Sequence, residues 1–438
     1  MTAIAASAPE LRECPGCGRL QTVRALGPKM VATCERCPTR LRRANLQSHQ
    51  FSIALNLAAL VLLLILCLTT LMSVETAGIT LHAGLFSGPE ELVKRGMASI
   101  AIVVVFVTVI APFGQLGGTL YVLLRMQQDP PPRHLRRVFT WVERLAPWSM
   151  LEVFVFGVFV AYTKLGDLVT ITLDDGLYAL LAVTFVISWA NGALHRAAIW
   201  DRLGGNRAPA LVPLPAIVAH RAIGCETCGL VSVPADGAHG HARCPRCDNP
   251  LHARKPNSIA RTWALVVAAS VMYIPANYFP VLTVVQLGAG APSTILGGVQ
   301  ELIESKMYPL ALLVFFASVA VPMLKLVGLS YMLITTQSGQ GRWLAQRTRL
   351  YHIVCWIGRW SMIDIFMEAL LGALVRFGGI VTIEPGFGAV AFCSVVILTI
   401  FAAESFDPRL MWDAADQRHA RRAELAGAAA PAQPFPAA

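Results

Sequence analysis

The chain contains 438 residues, of which 55% are hydrophobic and only 14% are charged. Soluble domains carry about 25% charged residues, so the composition excludes an ordinary soluble protein and indicates one embedded in a bilayer. The net charge of +10 does not indicate nucleic-acid binding, because the cations flank the apolar segments and form no single basic domain. Anionic lipid headgroups explain their position better.

Two cysteine-rich modules, residues 14–37 ("CPGC…CERC") and 225–247 ("CETC…CPRC"), have the same pattern. Two residues between paired cysteines let one turn bring both sulfurs to one ion, and a second pair completes a tetrahedral shell, as in zinc ribbons. We therefore predict two Zn²⁺ ions, one in each module. The predicted ligands are Cys14, Cys17, Cys34, Cys37, Cys225, Cys228, Cys244 and Cys247.

The alternatives for these modules are iron or a redox dithiol. A cytoplasmic location disfavours standing disulfides, and four thiolates leave no open position on the ion for hydrolytic chemistry. His239 and His241 could replace a cysteine ligand in the second module, although solvated loop histidines are more common. Cys67, Cys355 and Cys393 are isolated in or near apolar segments, where we expect them only to pack.

Eight apolar segments are long enough to cross a bilayer, which takes about 20 helical residues. The sequence therefore predicts an all-α integral membrane protein with eight transmembrane helices. The predicted spans are residues 51–73, 99–124, 148–165, 177–199, 262–285, 307–335, 359–378 and 386–404.

The distribution of cations predicts the orientation, since segments rich in Lys and Arg are retained in the cytoplasm. Arg36, Arg40, Arg42 and Arg43 precede the first span, and five more arginines lie between the second and third spans. In contrast, residues 166–176 carry three aspartates and no cation. The polar first 50 residues lack the apolar stretch of a cleavable signal. We expect both termini and both cysteine modules to be cytoplasmic.

The chain also matches itself when it is shifted by about 211 residues. "WSMLEVF" (148–154) aligns with "WSMIDIF" (360–366), and the cysteine modules align as well. Four spans return the chain to the same side, so the two repeats are parallel. The predicted organisation is a zinc ribbon (1–50), a four-helix unit (51–201), a linker (202–224), a second ribbon (225–255), a second four-helix unit (256–413) and a disordered tail (414–438).

Two short segments before the second span of each unit, residues 87–92 and 300–305, have an amphipathic pattern. We expect each to form a helix just outside the membrane on the periplasmic side. Such helices either wall a cavity that opens to the periplasm or brace the surface.

Ionisable residues inside spans are costly to bury, and they are therefore candidates for function. Lys325 lies in the sixth span, three residues after Pro322, whose missing amide can open the helix. Polar residues of the neighbouring spans are expected at similar depth. The predicted network comprises Ser318, Lys325, Ser361, Asp364, Thr399 and Glu404, and its equivalents in the first repeat are Thr108, Gln115, Ser149 and Glu152.

Three interpretations of this network remain open. Lys325 forms a structural ion pair with Asp364 or Glu404 that fixes helix packing, it carries protons or gates a substrate, or it extends to the interface. Since glutamine replaces the lysine in the first repeat, we expect any ionisable function to belong mainly to the second.

Common enzyme motifs are absent from the sequence. It contains no phosphate-binding Gly-x-x-x-x-Gly-Lys-Ser/Thr loop, no His-Glu-x-x-His and no Gly-x-Ser-x-Gly. We therefore do not expect an enzyme.

The paired units of cysteine ribbon and four spans, with "WSMIDIF" in the third span of a unit and "SFDPRLMWD" (405–413) at the end, resemble the paraquat-inducible protein A family of Gram-negative inner membranes. The resemblance covers nearly the whole chain, but the first unit ends in "HRAAIWD" (195–201) instead. It implies a location in the bacterial inner membrane, a periplasmic MCE-domain (mammalian-cell-entry) partner that forms a tunnel, and transport of phospholipid. The alternatives are a scaffold that only anchors the partner and a cytoplasmic redox sensor.

Overall fold

The computed structural model describes residues 10–428, except residues 25, 28–29, 44–47, 77–78, 166–169, 205–221, 235–241, 287–288, 375 and 378–380. The helices of the described part form two bundles in series, each preceded by a four-cysteine module. We call the end of the bundles next to these modules the ribbon side, and the opposite end, which carries small β-sheets, the sheet side. Most of the predicted linker, together with His239 and His241, lies outside the described residues.

The first repeat begins with two antiparallel hairpins. Its sheet-side strands form one antiparallel sheet of three strands, with β5 in the centre. In chain order its elements are β1 Glu10–Glu13, β2 Leu20–Val23, β3 Val31–Thr33, β4 Arg40–Arg43, α1 His49–Leu68, β5 Thr70–Thr76, β6 Ile79–Gly84, α2 Ser87–Lys94, α3 Ala98–Val105, a π-helical turn Phe106–Ile110, α4 Ala111–Arg125, α5 Leu135–Leu145, a 3-10 turn Ala146–Trp148, α6 Leu151–Leu165, β7 Thr170–Leu173, α7 Asp175–Ala193 and α8 Arg196–Gly204.

The second repeat has the same order of helices. Its sheet-side strands form a four-stranded sheet in the order β11, β10, β13, β12. Its elements are β8 Ile223–Gly224, β9 Val231–Ser232, α9 Ser258–Tyr278, β10 Leu282–Gln286, β11 Ala289–Ser293, α10 Ile295–Glu304, α11 Tyr308–Phe315, a π-helical turn Phe316–Ala320, α12 Val321–Gln337, α13 Leu344–Gly358, a 3-10 turn Arg359–Met362, α14 Ile363–Leu374, β12 Arg376–Phe377, β13 Val381–Pro385, α15 Phe387–Ser405 and α16 Arg409–Ala428.

Seven helices of the described part are long and apolar enough to cross a membrane. They are α1, α3 with α4, α5 with α6, α7, α9, α11 with α12, and α15, and they correspond to seven of the eight predicted spans. The chain is therefore a multi-pass helical membrane protein.

The predicted span at residues 359–378 is not confirmed as an eighth helix of this kind. It forms a 3-10 turn followed by α14, which has 12 residues and is about 18 Å long at 1.5 Å per residue. A bilayer core is about 30 Å thick. The segment also contains Arg359, Asp364 and Glu368. Its apolar residues are covered by protein, since Phe366 and Leu374 are 0% exposed.

The prediction of an all-α protein is wrong for the described segments just beyond the spans. The span predicted at 51–73 ends as a helix at Leu68, and β5 begins at Thr70; likewise α9 ends at Tyr278 and β10 begins at Leu282. The cause is the β-branched composition of these segments, such as "LTVV" (282–285), which favours strands. Hydropathy alone cannot separate such strands from the helix before them.

Each repeat has a π-helical turn directly before a proline. The turns Phe106–Ile110 and Phe316–Ala320 precede Pro112 and Pro322. A proline ring clashes with the carbonyl of the residue four positions earlier, and one extra residue in the turn relieves that clash. The expected opening of the helix near Pro322 thus takes the form of a π-bulge, a feature common at functional sites.

The two units meet along α14. Gly157 of α6 lies so close to this helix that a Cβ atom there would be 2.8 Å from the Cβ of Phe366, and a Cβ on Gly88 of α2 would lie 3.0 Å from the carbonyl oxygen of Ala369. Phe154 and Phe366 also pack edge to face at 5.4 Å. The helix α14 of the second unit is therefore held between α6 and α2 of the first.

Each cysteine module packs on the helical unit of the other repeat. The first module shares a core with Leu326, Leu329 and Trp412 of the second unit. The second module shares a core with Phe139 and Trp200 of the first unit. Each module thus packs on the bundle that does not follow it directly in the sequence.

The C-terminal segment differs from the prediction of disorder beyond residue 414, because α16 continues to Ala428. Its first turns carry Met411 and Trp412, which are buried against the second unit. This packing extends the helix into a polar sequence. Residues 429–438 lie outside the described part of the chain.

Candidate functional site

The four cysteines of each module converge. Their sulfur atoms lie within 4.8 Å of one another. In the first module the Cys14 and Cys37 Sγ atoms are 3.4 Å apart and those of Cys17 and Cys34 are 3.6 Å apart. The corresponding distances in the second module are 3.4 Å and 3.5 Å. All eight thiols are free of disulfides and buried.

This geometry fits a tetrahedral metal ion. Four sulfurs at about 2.3 Å from an ion lie about 3.8 Å from one another, close to the distances seen. The turns that present the sulfurs need a residue with positive φ, which is supplied by Gly18 and Gly229 at +74° and +72°. Both four-cysteine clusters can therefore hold a metal ion with no position left open for a substrate.

A cluster of charged side chains joins the two modules to the end of the second unit. Arg409, 4% exposed, forms a double hydrogen bond with Asp407, which is 1% exposed. Arg409 also donates to Glu13 Oε1 at 3.0 Å. Glu13 in turn accepts from Arg254 at 3.1 Å and from the backbone N–H of Gly224 at 2.7 Å. One glutamate of the first module thus contacts both the second module and the second unit.

The pKa of Asp407 reflects this pairing. Burial acts to raise the pKa of the carboxyl, but the hydrogen bonds and charge of Arg409 outweigh it, so the pKa lies below its ordinary value. For Arg409, burial acts to lower the pKa, and Asp407 and Glu13 raise it overall. Both side chains therefore stay charged at neutral pH.

The substitution Arg409→Gln is expected to destabilise the protein by about 3–5 kcal/mol, because it leaves Asp407 buried without its counter-charge and removes one of the two arginines that pair with Glu13. Thermal unfolding of the purified protein in detergent measures the change. Arg418→Gln, an exposed position on the same helix that donates to the carbonyl of Ser338, is the matched control and should have little effect. Equal unfolding temperatures for the two variants would contradict a structural role for the cluster.

Lys325 is buried in the second unit at 1% exposure. Its Nζ lies 3.5 Å from Ser361 Oγ and 4.0 Å from the position of a Cβ on Gly358. The structure places no carboxylate oxygen of the described residues within 4.0 Å of this amine, so neither Asp364 nor Glu404 forms the ion pair considered from the sequence. Among the described residues of the predicted network, Ser361 is the one that forms a hydrogen bond with Lys325.

The other four predicted residues of this network line two cavities. Cavity A, of about 60 Å³, lies toward the sheet side, and its lining includes Ser318 and Asp364. Cavity B, of about 130 Å³, lies toward the ribbon side, and its lining includes Thr399 and Glu404. The hydroxyls of Ser318 and Thr399 donate to carbonyls of their own helices.

Cavity A is mostly apolar. Its wall includes one face of α10, whose equivalent α2 is instead held against α14. The carboxyl-bearing residues at its base, Asp364 and Glu368, lie one turn apart on α14. The full lining is Val281, Ser293, Thr294, Ile295, Gly298, Leu302, Val314, Ser318, Asp364, Met367, Glu368 and Phe392.

The first unit arranges its equivalent residues differently. Gln115 donates to the side-chain oxygen of Asn191 at 2.7 Å, and Thr108 donates to the carbonyl of Val104. Glu152 accepts a hydrogen bond from the Ser188 hydroxyl at 2.7 Å. The Ser149 hydroxyl is buried. A neutral amide pair thus occupies the place of Lys325.

Sequence reasoning missed the charged cluster around Arg409 and the role of Asn191. For Arg409, a signal was present in "FDPR", where an acidic and a basic residue alternate in a turn beside apolar residues. For Asn191, no local pattern indicates the partner, because 76 residues separate it from Gln115.

A duplicated bundle of membrane-crossing helices with two closed four-thiol modules at one end defines a multi-pass membrane protein with paired metal-binding modules. Residues 50–204 and 259–416 both match one family model, that of paraquat-inducible protein A. The chain belongs to this family, as its resemblance predicts.

Several curated proteins are similar along nearly their whole length. The chain is 34% identical to "Intermembrane transport protein PqiA" of Escherichia coli (strain K12), over 91% of this chain and 95% of the relative. It is 29% identical to "Lipophilic envelope-spanning tunnel protein A" of the same organism, over 94% and 93%. A "Probable intermembrane transport protein" of Haemophilus influenzae is 26% identical, over 92% and 95%. No solved structure matches the chain.

Proposed function

We propose that this chain is the inner-membrane subunit of an envelope transport system that passes phospholipid between the inner membrane and the tunnel of a periplasmic MCE-domain protein. The relatives support transport, since two of them are named as intermembrane transport proteins. In this proposal the ribbon side faces the cytoplasm and the sheet side faces the periplasm, as the arginine-rich segments favour. The chain acts as a transporter and not as an enzyme.

Cavity A is the observation that carries this proposal. It combines apolar walls with two acidic residues at its base, a combination that suits an amphipathic molecule. At about 60 Å³ it is far smaller than the 300–1,000 Å³ of ordinary ligand pockets. Entry of a lipid therefore requires α10 to move outward, and its neighbours α11 and β11 are the elements along which it would hinge.

Lys325 provides the positive charge that acts on the lipid or on a proton during this transport. Its amine lies 3.5 Å from Ser361 Oγ, and Ser361 is three residues before Asp364, which lines cavity A. It would attract an anionic headgroup or release a proton when the lipid passes. Since the sequence has no phosphate-binding loop for ATP, a proton gradient, a lipid gradient or the partner provides the energy.

Copurification from native membranes, followed by mass spectrometry of the bound proteins and lipids, tests this function. The expected result is recovery of an MCE-domain protein together with phospholipid in near-stoichiometric amount. Recovery of the partner without lipid would favour a scaffold that only anchors the partner. Recovery of neither would contradict the proposal.

The cysteine modules would each hold one Zn²⁺, as structural elements. Elemental analysis should give two zinc ions per chain, and a thiol reagent should react readily with no more than the three remaining cysteines of the eleven in the sequence. Removal of the metal by a strong chelator should expose eight more thiols. Metal-free protein whose thiols respond to oxidant would instead support a redox sensor.

A further inference from the structure

Cavity B lies on the seam between the two units at the ribbon side. The first unit contributes Pro147, Trp148 and Met150 from the start of α6. The second unit contributes the end of α13 and the last two turns of α15. These second-unit residues are Val354, Cys355, Gly358, Arg359, Thr399, Ile400, Ala403 and Glu404.

Comparison with the first repeat shows which substitution leaves cavity B open in the second. A shift of 212 residues aligns Asn191 with Ala403, and Asn191 reaches Gln115 across the first bundle. In the second unit the small side chain of Ala403 leaves this volume open beside Lys325. Shortened side chains at such positions leave a cavity unless a ligand or water fills it.

The charges at the cavity are also confined to the second repeat. Arg359 aligns with Pro147, and Glu404 aligns with Gly192. Both charged residues are exposed, and neither side chain lies within 4.0 Å of an oppositely charged group of the described residues. A cation and an anion thus line one small cavity without forming an ion pair with each other, while Lys255, which donates to the Glu404 backbone carbonyl at 2.5 Å, is a cation that acts on the Glu404 carboxyl.

An aromatic wall completes the cavity. The Trp148 ring packs against Phe401 at 5.4 Å and against Phe106 at 6.0 Å, which fixes its orientation. A tryptophan ring attracts a primary ammonium group, an arginine guanidinium binds phosphate, and a carboxylate binds ammonium. The three groups together match a headgroup that carries both a phosphate and an ammonium.

We propose that cavity B binds the headgroup of a zwitterionic phospholipid from the leaflet on the ribbon side, with its phosphate at Arg359 and its ammonium at Glu404 and Trp148. A volume of about 130 Å³ admits a headgroup, and the acyl chains stay in the bilayer. The inference rests on the proposed phospholipid function and adds to it the headgroup class and a second site, whose lining residues differ from those of cavity A.

Native mass spectrometry of the full-length protein tests the site with two probes of equal chain length, dioleoyl phosphatidylethanolamine and dioleoyl phosphatidylglycerol. The wild type should retain the ethanolamine lipid roughly tenfold better, since one charge-assisted contact is worth about that factor. Glu404→Gln should remove this preference, and Arg359→Gln should weaken binding of both lipids. Arg349→Gln, an exposed position on α13 outside the cavity, is the matched control and should behave as wild type.

The possible results separate the inference from the proposed function. Retention of both lipids without preference, or equal binding by Arg359→Gln and wild type, would overturn the headgroup site and leave the proposed transport standing. A wild type that retains no lipid would contradict both. Displacement of the lipid by inorganic phosphate or free phosphoethanolamine at millimolar concentration would assign the site to a soluble phosphate compound and overturn the choice of a membrane lipid.

Discussion

Replacement of Lys325 by alanine or glutamine is expected to abolish lipid transport while thermal stability stays the same or rises. A charged lysine at the centre of a span costs about 2.5–3.5 kcal/mol on insertion scales, and this one is 1% exposed, with the Ser361 hydroxyl as its hydrogen-bond partner in the described part of the chain. In the first unit, Gln115 shows that a neutral amide packs well at the same position. A residue that lowers stability and is nevertheless present is typical of a functional site.

Complementation of the envelope defects of a deletion strain measures transport, and thermal unfolding of the purified variant measures stability. Gln115→Ala in the first unit is the control and should keep transport, because it removes no charge. Normal transport by Lys325→Ala would remove this residue from the mechanism. A variant that is both inactive and much less stable would support a structural role for the lysine.

Substitution of Cys14 and Cys17 by serine is expected to destabilise the second unit more than the first. The first module packs on Leu326, Leu329 and Trp412. If it holds the proposed Zn²⁺, its fold would depend on that ion, since metal binding in comparable small domains provides about 10–16 kcal/mol. Loss of the ion therefore uncovers α16 and the ribbon-side end of α12. Hydrogen exchange in α16 should become at least about tenfold faster.

The matched variant Cys225→Ser with Cys228→Ser gives the reciprocal result. The second module packs on Phe139 and Trp200, so faster exchange is expected in α5 and α8. The same experiment on wild-type protein treated with chelator should show both changes. Each pair of substitutions could instead speed hydrogen exchange in the unit that follows the substituted module in the sequence. That result would contradict the packing of each module on the unit of the other repeat.

Much of the architecture was accessible from the sequence, because long apolar segments and paired cysteines are strong local signals. Seven predicted spans match candidate membrane helices, although the third begins at Leu135 and not at residue 148, and the eight cysteines converge as their spacing requires. The internal repeat also predicted that Lys325 and Gln115 occupy equivalent places. The two amphipathic segments do lie on short helices before the second span of each unit, α2 and α10, and α10 contributes to the wall of cavity A. Their position relative to the membrane stays a prediction.

The features that sequence reasoning did not give depend on contacts between distant segments. Nothing local to residues 14–37 indicates that this module packs on Trp412 and not on the adjacent unit. The short strands after α1 and α9 merge with the spans in hydropathy, and α14 is buried by the first unit although its composition resembles a span. Cavity B arises from the small side chain of Ala403. Cavity A arises because α10 is not held against α14 as its equivalent α2 is. Both causes depend on how the helices pack, which the sequence does not show.

Measurement of the lipid bound to a variant with a filled cavity A tests the central claim most directly. Gly298→Leu adds a side chain to the lining of cavity A without a close contact, since a Cβ there would be 3.6 Å from its nearest neighbour. Gly297→Leu adds the same side chain one residue earlier, outside the lining, where a Cβ would lie 3.3 Å from Thr294 Oγ1. Thermal unfolding of both purified variants reports on their folding. The account predicts that phospholipid copurifies with wild type and Gly297→Leu, and that Gly298→Leu loses it and the transport it supports. Undiminished lipid binding and transport by correctly folded Gly298→Leu would contradict the account.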